Sequence, residues 1–370
     1  MSFLLDALLP LSALIFWLPV NPQLSTLPVL IWLVIQFLIA PSERRWVAWP
    51  ILFIVLLGAQ IWWFNPLPAP ASLADAVLFV CALLGAASVS PKRWPVLLKL
   101  LSGALVPMLF FAGSKPWNPN PFVGSNQAAY LMGFALIIAV LWLLDSSQSV
   151  LGRICAAFLA LLGFVLIWQT GSRAALVASL LSILFVVARF LRSRYQSLRP
   201  VALLAAGLSL LYVVRWQFFS AGSQVPGLKA GSDLGRLSVL KCFYEVPFSG
   251  HNRLLYGAGF EDLQELCSVY FQGSPLAHSH NIYVQIWAAS GLLGLLGLSA
   301  LILLAIGMWR EKSECMPLLV RRIGQASLVY ALIQGAFDLS LVHWPVTLIL
   351  SAIFLAIPLA SWSCQESKVG

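Results

Sequence analysis

Charge is what this sequence lacks. Only 9% of its 370 residues are Asp, Glu, Lys or Arg, while 60% are hydrophobic, and the mean hydropathy is +0.90. So few charges cannot solvate the surface of an ordinary globular domain, which excludes a soluble enzyme or binding module. The short alternating segments of a membrane barrel are absent as well. What is present instead is a series of apolar runs of about 18 to 25 residues, each able to cross a hydrocarbon core of roughly 30 Å as a helix. The chain therefore reads as an all-α integral membrane protein with about twelve spans. They fall near 3–20, 25–40, 46–64, 71–90, 96–113, 125–145, 151–169, 172–190, 199–217, 282–308, 318–337 and 343–362.

Basic residues are also missing from the start of the chain. No Lys or Arg precedes Arg44, and Asp6 stands where a secretory leader would be positive, so the first run reads as a retained span. Over the whole chain Lys and Arg outnumber Asp and Glu by 22 to 13, for a net charge of +9. That surplus does not point to nucleic acid, because of where it lies. Arg44 and Arg45, Lys92 and Arg93, Arg153, the arginines 189, 192, 194 and 199, and finally Arg310, Lys312, Arg321 and Arg322 fall in alternate loops. The loops at 21–24, 65–70 and 338–342 carry none. This positive-inside pattern puts both termini in the cytoplasm. It divides the chain into spans at 1–217, a long outer segment at 218–281, and further spans with a cytoplasmic tail at 282–370.

Histidine is scarce too, and all four residues, His251, His278, His280 and His343, land on the outer side of this topology. Of six cysteines only Cys242 and Cys267 lie in the outer segment, where an oxidising compartment permits a bridge. A bridge there would stabilise the segment by about 3 kcal/mol. Chemistry is thus expected at the outer face.

Three outer stretches carry chemistry-bearing residues. In QTGSRAALVASLLSILF, Ser172 stands at an N-cap position and Arg173 in the first helical turn. A cation there opposes the helix dipole, so it is either a partner of the backbone N–H groups in holding a phosphate or an interfacial anchor that snorkels. In GSDLGRLSVLKCF, Arg236 and Lys241 lie on a short helix, with Arg215, Lys229 and Arg253 near in sequence. They suit an acidic ligand or are ordinary solvated charges beside Glu245, Glu261, Asp262 and Glu265. In AHSHNIYVQIWAASGLLGLLG, Ser279 or His280 is the expected cap of an inward-running helix. His280 there reads as a neutral base or as a structural hydrogen-bonder, and Gly291, Gly294 and Gly297 as a small-residue strip for helix packing. A metal held by His278 and His280 with Asp338 and His343 is a third reading, though an H-x-H pair needs extended backbone to converge on one ion. Trp117, Asn118, Asn120 and Asn126, in KPWNPNPFVGSNQAAYLMGF, fit either sugar contacts or turn and interface anchoring.

Taken together, TGSRAALVASLLSILF, the G-R pair at Arg236, the segments PFSG and GAGFEDLQ, and HSHNIYVQIWAASGLLGLLG resemble the O-antigen ligase and O-antigen polymerase superfamily of bacterial membrane enzymes. VGSNQAAYLM is similar to another stretch of that family. The resemblance implies a GT-C-like glycosyltransferase architecture in the inner membrane, acting at the periplasmic face. It implies a donor glycan on undecaprenyl pyrophosphate and an acceptor that is lipid A-core or a growing glycan. Neither a metal nor another cofactor is implied. It makes His280 the catalytic base and Arg173 and Arg236 the pyrophosphate ligands, with His278, Asn281, Arg215, Arg253 and Asn126 as accessory candidates. A solute transporter is the competing class, and it should show midplane charges, broken helices and repeated halves.

Overall fold

A computed structural model describes residues 89–110, 125–194, 233–259, 262–267, 279–310, 316–338 and 350–357, with isolated positions at 347 and between 7 and 87. Among the described residues the regular structure is helical, with no strand. The elements are α1 (Trp94–Gly103), α2 (Ser125–Leu143), α3 (Val150–Thr170), α4 (Arg173–Arg194), α5 (Asp233–Glu245), α6 (His251–Tyr256), α7 (Asp262–Leu266), α8 (Ile282–Arg310) and α9 (Leu318–Gly335). Ser125–Leu143, Val150–Thr170 and Ile282–Ala300 are each long and apolar enough to cross a membrane. The expected spans at 3–20, 25–40, 46–64, 199–217 and most of 71–90 and 343–362 lie outside the described residues. The span expected at 96–113 is α-helical only to Gly103, followed by a 3-10 turn at Val106–Phe110.

The chain forms two compact units. The first holds α1 to α4 and α9 as far as Gln334; the second holds α5 to α8 and the residues from Gly335 onward. The expected division at 217 and 281 is one by side of the membrane, whereas these units are divided by packing.

In the first unit α2 is buried almost all round, from Gln127 to Ala139. Its small residues make that possible. Gly133 leaves room for the Tyr330 ring of α9 and the Ser179 hydroxyl of α4, so three helices meet at this level. Tyr330 donates to the Tyr130 carbonyl at 2.9 Å and stacks on the Tyr130 ring with centroids 5.4 Å apart. The helix α3 starts at a Ser149 cap, whose hydroxyl accepts from the Gly152 amide. It leaves Val150, Leu151, Ile154, Phe158 and Leu161 exposed along one stripe, which suits a face turned to lipid. Lys99, an apparent charge within a span, donates to Gln148 at 2.9 Å and lies 4.7 Å from the Trp142 ring centroid. It is thereby satisfied at a helix end and is no midplane charge.

In the second unit the segment that carries α5 to α7 has its own core. Val239, Cys242, Phe243, Val246, Ala258, Leu263 and Cys267 pack on Ala288 and Ala289 of α8. Cys242 and Cys267 form the disulfide, with their Cα atoms 6.0 Å apart, so the pairing expected from compartment alone is present. Closing 25 residues, it contributes about 3 kcal/mol. Replacing both cysteines by serine is expected to lower the stability of this segment by that amount in thermal unfolding. In the native chain neither thiol should react with maleimide under non-reducing, denaturing conditions; labelling of both would refute the bridge.

The helix α8 is not continuous. Gly291 has φ 60° and ψ −153°, a region essentially restricted to glycine, and it interrupts the helical hydrogen-bond ladder. The carbonyls of Ala288 and Ala289, one turn before the break, instead accept from the Ala258 and Gly259 amides at 2.9 and 3.0 Å. Buried backbone groups need such substitutes wherever a helix is broken in an apolar setting. A Cβ at Gly291 would lie 2.6 Å from the Leu255 carbonyl. The expected small-residue strip is thus corrected: Gly291 admits the backbone at the end of α6, Gly294 faces Ser290 and Ile286 of its own helix, and Gly297 has nothing within 4 Å among the described residues.

Candidate active site

The turn before α8 is built from short polar side chains, each bonded to a neighbouring backbone group. Asn281, neither Ser279 nor His280, caps the helix: its Oδ1 accepts from the Tyr283 and Val284 amides at 3.0 and 3.1 Å, and its carbonyl accepts from Gln285 at 2.9 Å. The correction has a simple cause, since Asn reaches the second and third helical amides from the position directly before Ile282. The Ser279 hydroxyl donates to the Asn281 carbonyl at 2.7 Å, while the Ser279 amide donates to Gln285 Oε1 at 3.0 Å.

Between these two anchored residues His280 adopts φ 53°. Left-handed backbone is uncommon outside glycine, though His tolerates it better than most, and it persists where surrounding bonds over-determine it. Here the Ser279 and Asn281 bonds do so. The imidazole is 12% exposed, and its Nδ1 lies 3.6 Å from Oδ1 of Asp338, which is 4% exposed. Asp338 is brought there by the end of α9. Asn281 Nδ2 donates to the Ala336 carbonyl at 3.0 Å, and Gly335 leaves room for Ile282, whose Cγ2 would be 2.6 Å from a Cβ. The result is a carboxylate and an imidazole side by side in a mostly dry pocket, with Nδ1 turned to the acid. Such a pair can orient a base and stabilise the charge it acquires.

Arg173 belongs to the first unit. The helix α3 ends at Gly171, whose φ of 72° is the left-handed conformation that closes a helix and that glycine adopts without strain. The chain then turns at once into α4. The Ser172 carbonyl accepts from Leu176, so Ser172 does occupy the N-cap position, but its buried hydroxyl makes no cap bond or other hydrogen bond among the described residues. Arg173 is the first residue of α4 and half-buried.

The other candidates are dispersed. Arg236 lies on the first turn of α5, a helix held by the disulfide core through Cys242 and Phe243. Lys241 is exposed, 3.9 Å from Glu245, an ordinary solvated pair. Arg253 donates to the Ser249 hydroxyl at 3.0 Å. Asn126 is half-buried in the first turn of α2. His278, Arg215 and His343 lie outside the described residues. Among the described residues no cluster of three potential metal ligands forms.

The carboxylate partner of His280 is the site residue that sequence reasoning weighs only as a metal ligand. A signal for it exists: between Glu314 and Glu366 Asp338 is the one acidic residue, placed at the end of an apolar run. An isolated boundary carboxylate calls for a partner.

Residues 155–299, which include Arg173, Arg236 and His280, match the O-antigen ligase family. Over 331 residues, 83% of this chain and 75% of the relative, the sequence is 25% identical to a Pseudomonas aeruginosa protein named O-antigen ligase. Those matches, spanning the same motifs that the sequence displays, support its likeness to the O-antigen ligase superfamily.

Proposed function

We propose that this protein is a membrane glycosyltransferase that moves a glycan from undecaprenyl pyrophosphate to an acceptor hydroxyl of lipid A-core in lipopolysaccharide assembly. The observation that carries the reading is the His280–Asp338 pair at the head of α8, with His280 inside the segment that matches the O-antigen ligase family. The acceptor hydroxyl attacks the anomeric carbon as the bond to the diphosphate oxygen breaks, and configuration inverts. Its proton passes to Nε2 of His280, and Asp338, facing Nδ1, stabilises the resulting imidazolium. The departing diphosphate carries away the electron pair. Pyrophosphate is a good leaving group that needs its charge met more than it needs protonation, and two guanidinium groups, Arg173 and Arg236, meet it without a metal. Asn126, Asn281, Arg253, His278 and Arg215 are accessory. About twelve spans of GT-C-like arrangement, cytoplasmic termini and a periplasmic site in the inner membrane complete the reading.

One observation favours the transporter class instead: a helix broken at Gly291, as transporters break theirs at a binding site. Here the carbonyls before the break are taken by the Ala258 and Gly259 amides and do not line a substrate cavity. The ionisable pair stands at helix ends.

Transfer by purified protein from the lipid-linked donor, in EDTA, tests the proposal with lipid A-core and with a growing glycan offered as separate acceptors. Arg173→Ala is expected to slow it by about 30- to 1,000-fold, the equivalent of roughly 2 to 4 kcal/mol of lost charge stabilisation. Loss of wild-type transfer in EDTA, or full activity of the variant, would sink the metal-free arginine mechanism. Transfer to the growing glycan alone would make the protein a polymerase with the same chemistry.

A further inference from the structure

We infer that the Arg173 end of the first unit holds a slot for the sugar hydroxyls of the donor, read by Gln334 and Ser172. The inference rests on the donor proposed above and goes beyond its diphosphate. Gln334 is fully buried, yet neither its Oε1 nor its Nε2 has a hydrogen-bond partner among the described residues. The Ser172 hydroxyl, in a residue 5% exposed, and Gln169 Oε1, just before the turn into α4, share that condition. Leaving a buried amide unsatisfied costs about 1 to 3 kcal/mol, and native proteins tolerate this where something else fills the gap.

Helix register brings these groups to one place. At Gly133, α2 meets Tyr330 of α9 and Ser179 of α4. Gln334 is one turn beyond Tyr330 on the same face, about 6 Å further along α9. Ser172 lies seven residues before Ser179 and Asn126 seven before Gly133, each about 10 Å along its helix and on the face that meets the others. The helix α9 runs opposite to α2, because Arg322 in its first turns senses the charge of Asp145 just past the end of α2 while Tyr330, further along α9, reaches Gly133 inside α2. The helix α4 runs with α2, the two being joined by short turns through α3. All three displacements therefore point to the end where Arg173 starts α4.

The unmet atoms select the ligand. Gln334 Oε1 and Gln169 Oε1 can only accept hydrogen bonds. A diphosphate only accepts at neutral pH, so it satisfies neither. Sugar hydroxyls donate and accept, and would satisfy both as well as Gln334 Nε2 and Ser172.

The test is equilibrium binding of bare undecaprenyl pyrophosphate, and of the same carrier bearing a glycan, to the purified protein. Wild type is expected to favour the glycosylated carrier by at least about tenfold, the equivalent of one or two net hydrogen bonds. Gln334→Leu should erase that preference while binding the bare carrier as before, whereas Arg173→Ala should weaken both. Without ligand, the thermal midpoint of Gln334→Leu should be unchanged or raised, because it removes an unsatisfied amide. Ser172→Ala provides a second variant with little effect on packing and an expected loss of about threefold for the glycosylated carrier alone. A Gln334→Leu protein that keeps the preference, or whose midpoint falls or that does not fold, overturns the slot in favour of a structural amide. Equal binding of both carriers by wild type overturns the slot only, and binding of neither overturns the donor reading itself.

Discussion

His280→Ala is expected to lower the turnover of glycan transfer by about 10²- to 10⁴-fold, the usual contribution of a positioned general base. Folded yield should change little, because the backbone bonds that pin the turn come from Ser279 and Asn281, and the substitution removes only the imidazole. Asp338→Asn keeps the shape and removes the negative charge. It is expected to lower turnover by about 100-fold with little change in the KM for the donor, since an imidazolium beside an amide loses stabilisation that the carboxylate supplies. The pH profile separates this from a packing defect. An orienting carboxylate that acts through His280 should alter the ionisation limb of the rate, whereas a loosened helix end would scale the whole curve. Wild-type turnover in either variant would remove the pair from the mechanism.

Gly291→Ala is expected to destabilise the protein by about 4 kcal/mol or more, among the largest effects a single small substitution produces. Two independent costs combine. The φ and ψ of 60° and −153° are essentially closed to residues with a Cβ, and that Cβ would stand 2.6 Å from Leu255 C and O and 2.7 Å from the Gly257 amide. Backbone cannot move aside as a flexible side chain can. Gly257 is equally committed from the other side, since a Cβ there would collide with the backbone of Ala289 and Ser290. Gly297→Ala, six residues on, serves as the control. Among the described residues nothing lies within 4 Å of its Cβ position, so it should be neutral or stabilise by roughly 0.5 to 1 kcal/mol through helix propensity. Thermal unfolding in detergent compares the two. Equal midpoints would mean that α8 runs straight through Gly291.

Both predictions concern one motif, HSHNIYVQIWAASGLLGLLG, whose parts are unevenly legible. That a helix enters the membrane there, that His280 stands at its head and that Arg173 opens another helix can be read directly, because composition and capping chemistry act over a few residues. The choice of Asn281 as the cap cannot, because Ser, His and Asn all stand in the same short run and the backbone turn that selects among them is locked by Ala336, 55 residues away. The spacing of Gly291, Gly294 and Gly297 misleads for a similar reason. A glycine that lets another helix approach and a glycine that ends the helix have the same letter.

From sequence alone follow the membrane class, the helical runs, the long hydrophilic segment with its one plausible cysteine pair, and the superfamily motifs. All of these rest on hydropathy, charge placement and short spacings, which the chain carries locally. Only the tertiary structure decided that Asp338 faces His280, that the segment after α6 supplies Ala258 and Gly259 to a broken α8, and that Gln334 is buried with its amide unmet among the described residues. Each of those depends on groups far apart in the chain being brought within a few ångströms. Which buried polar atoms then find partners is settled by packing, and no local pattern of residues encodes it.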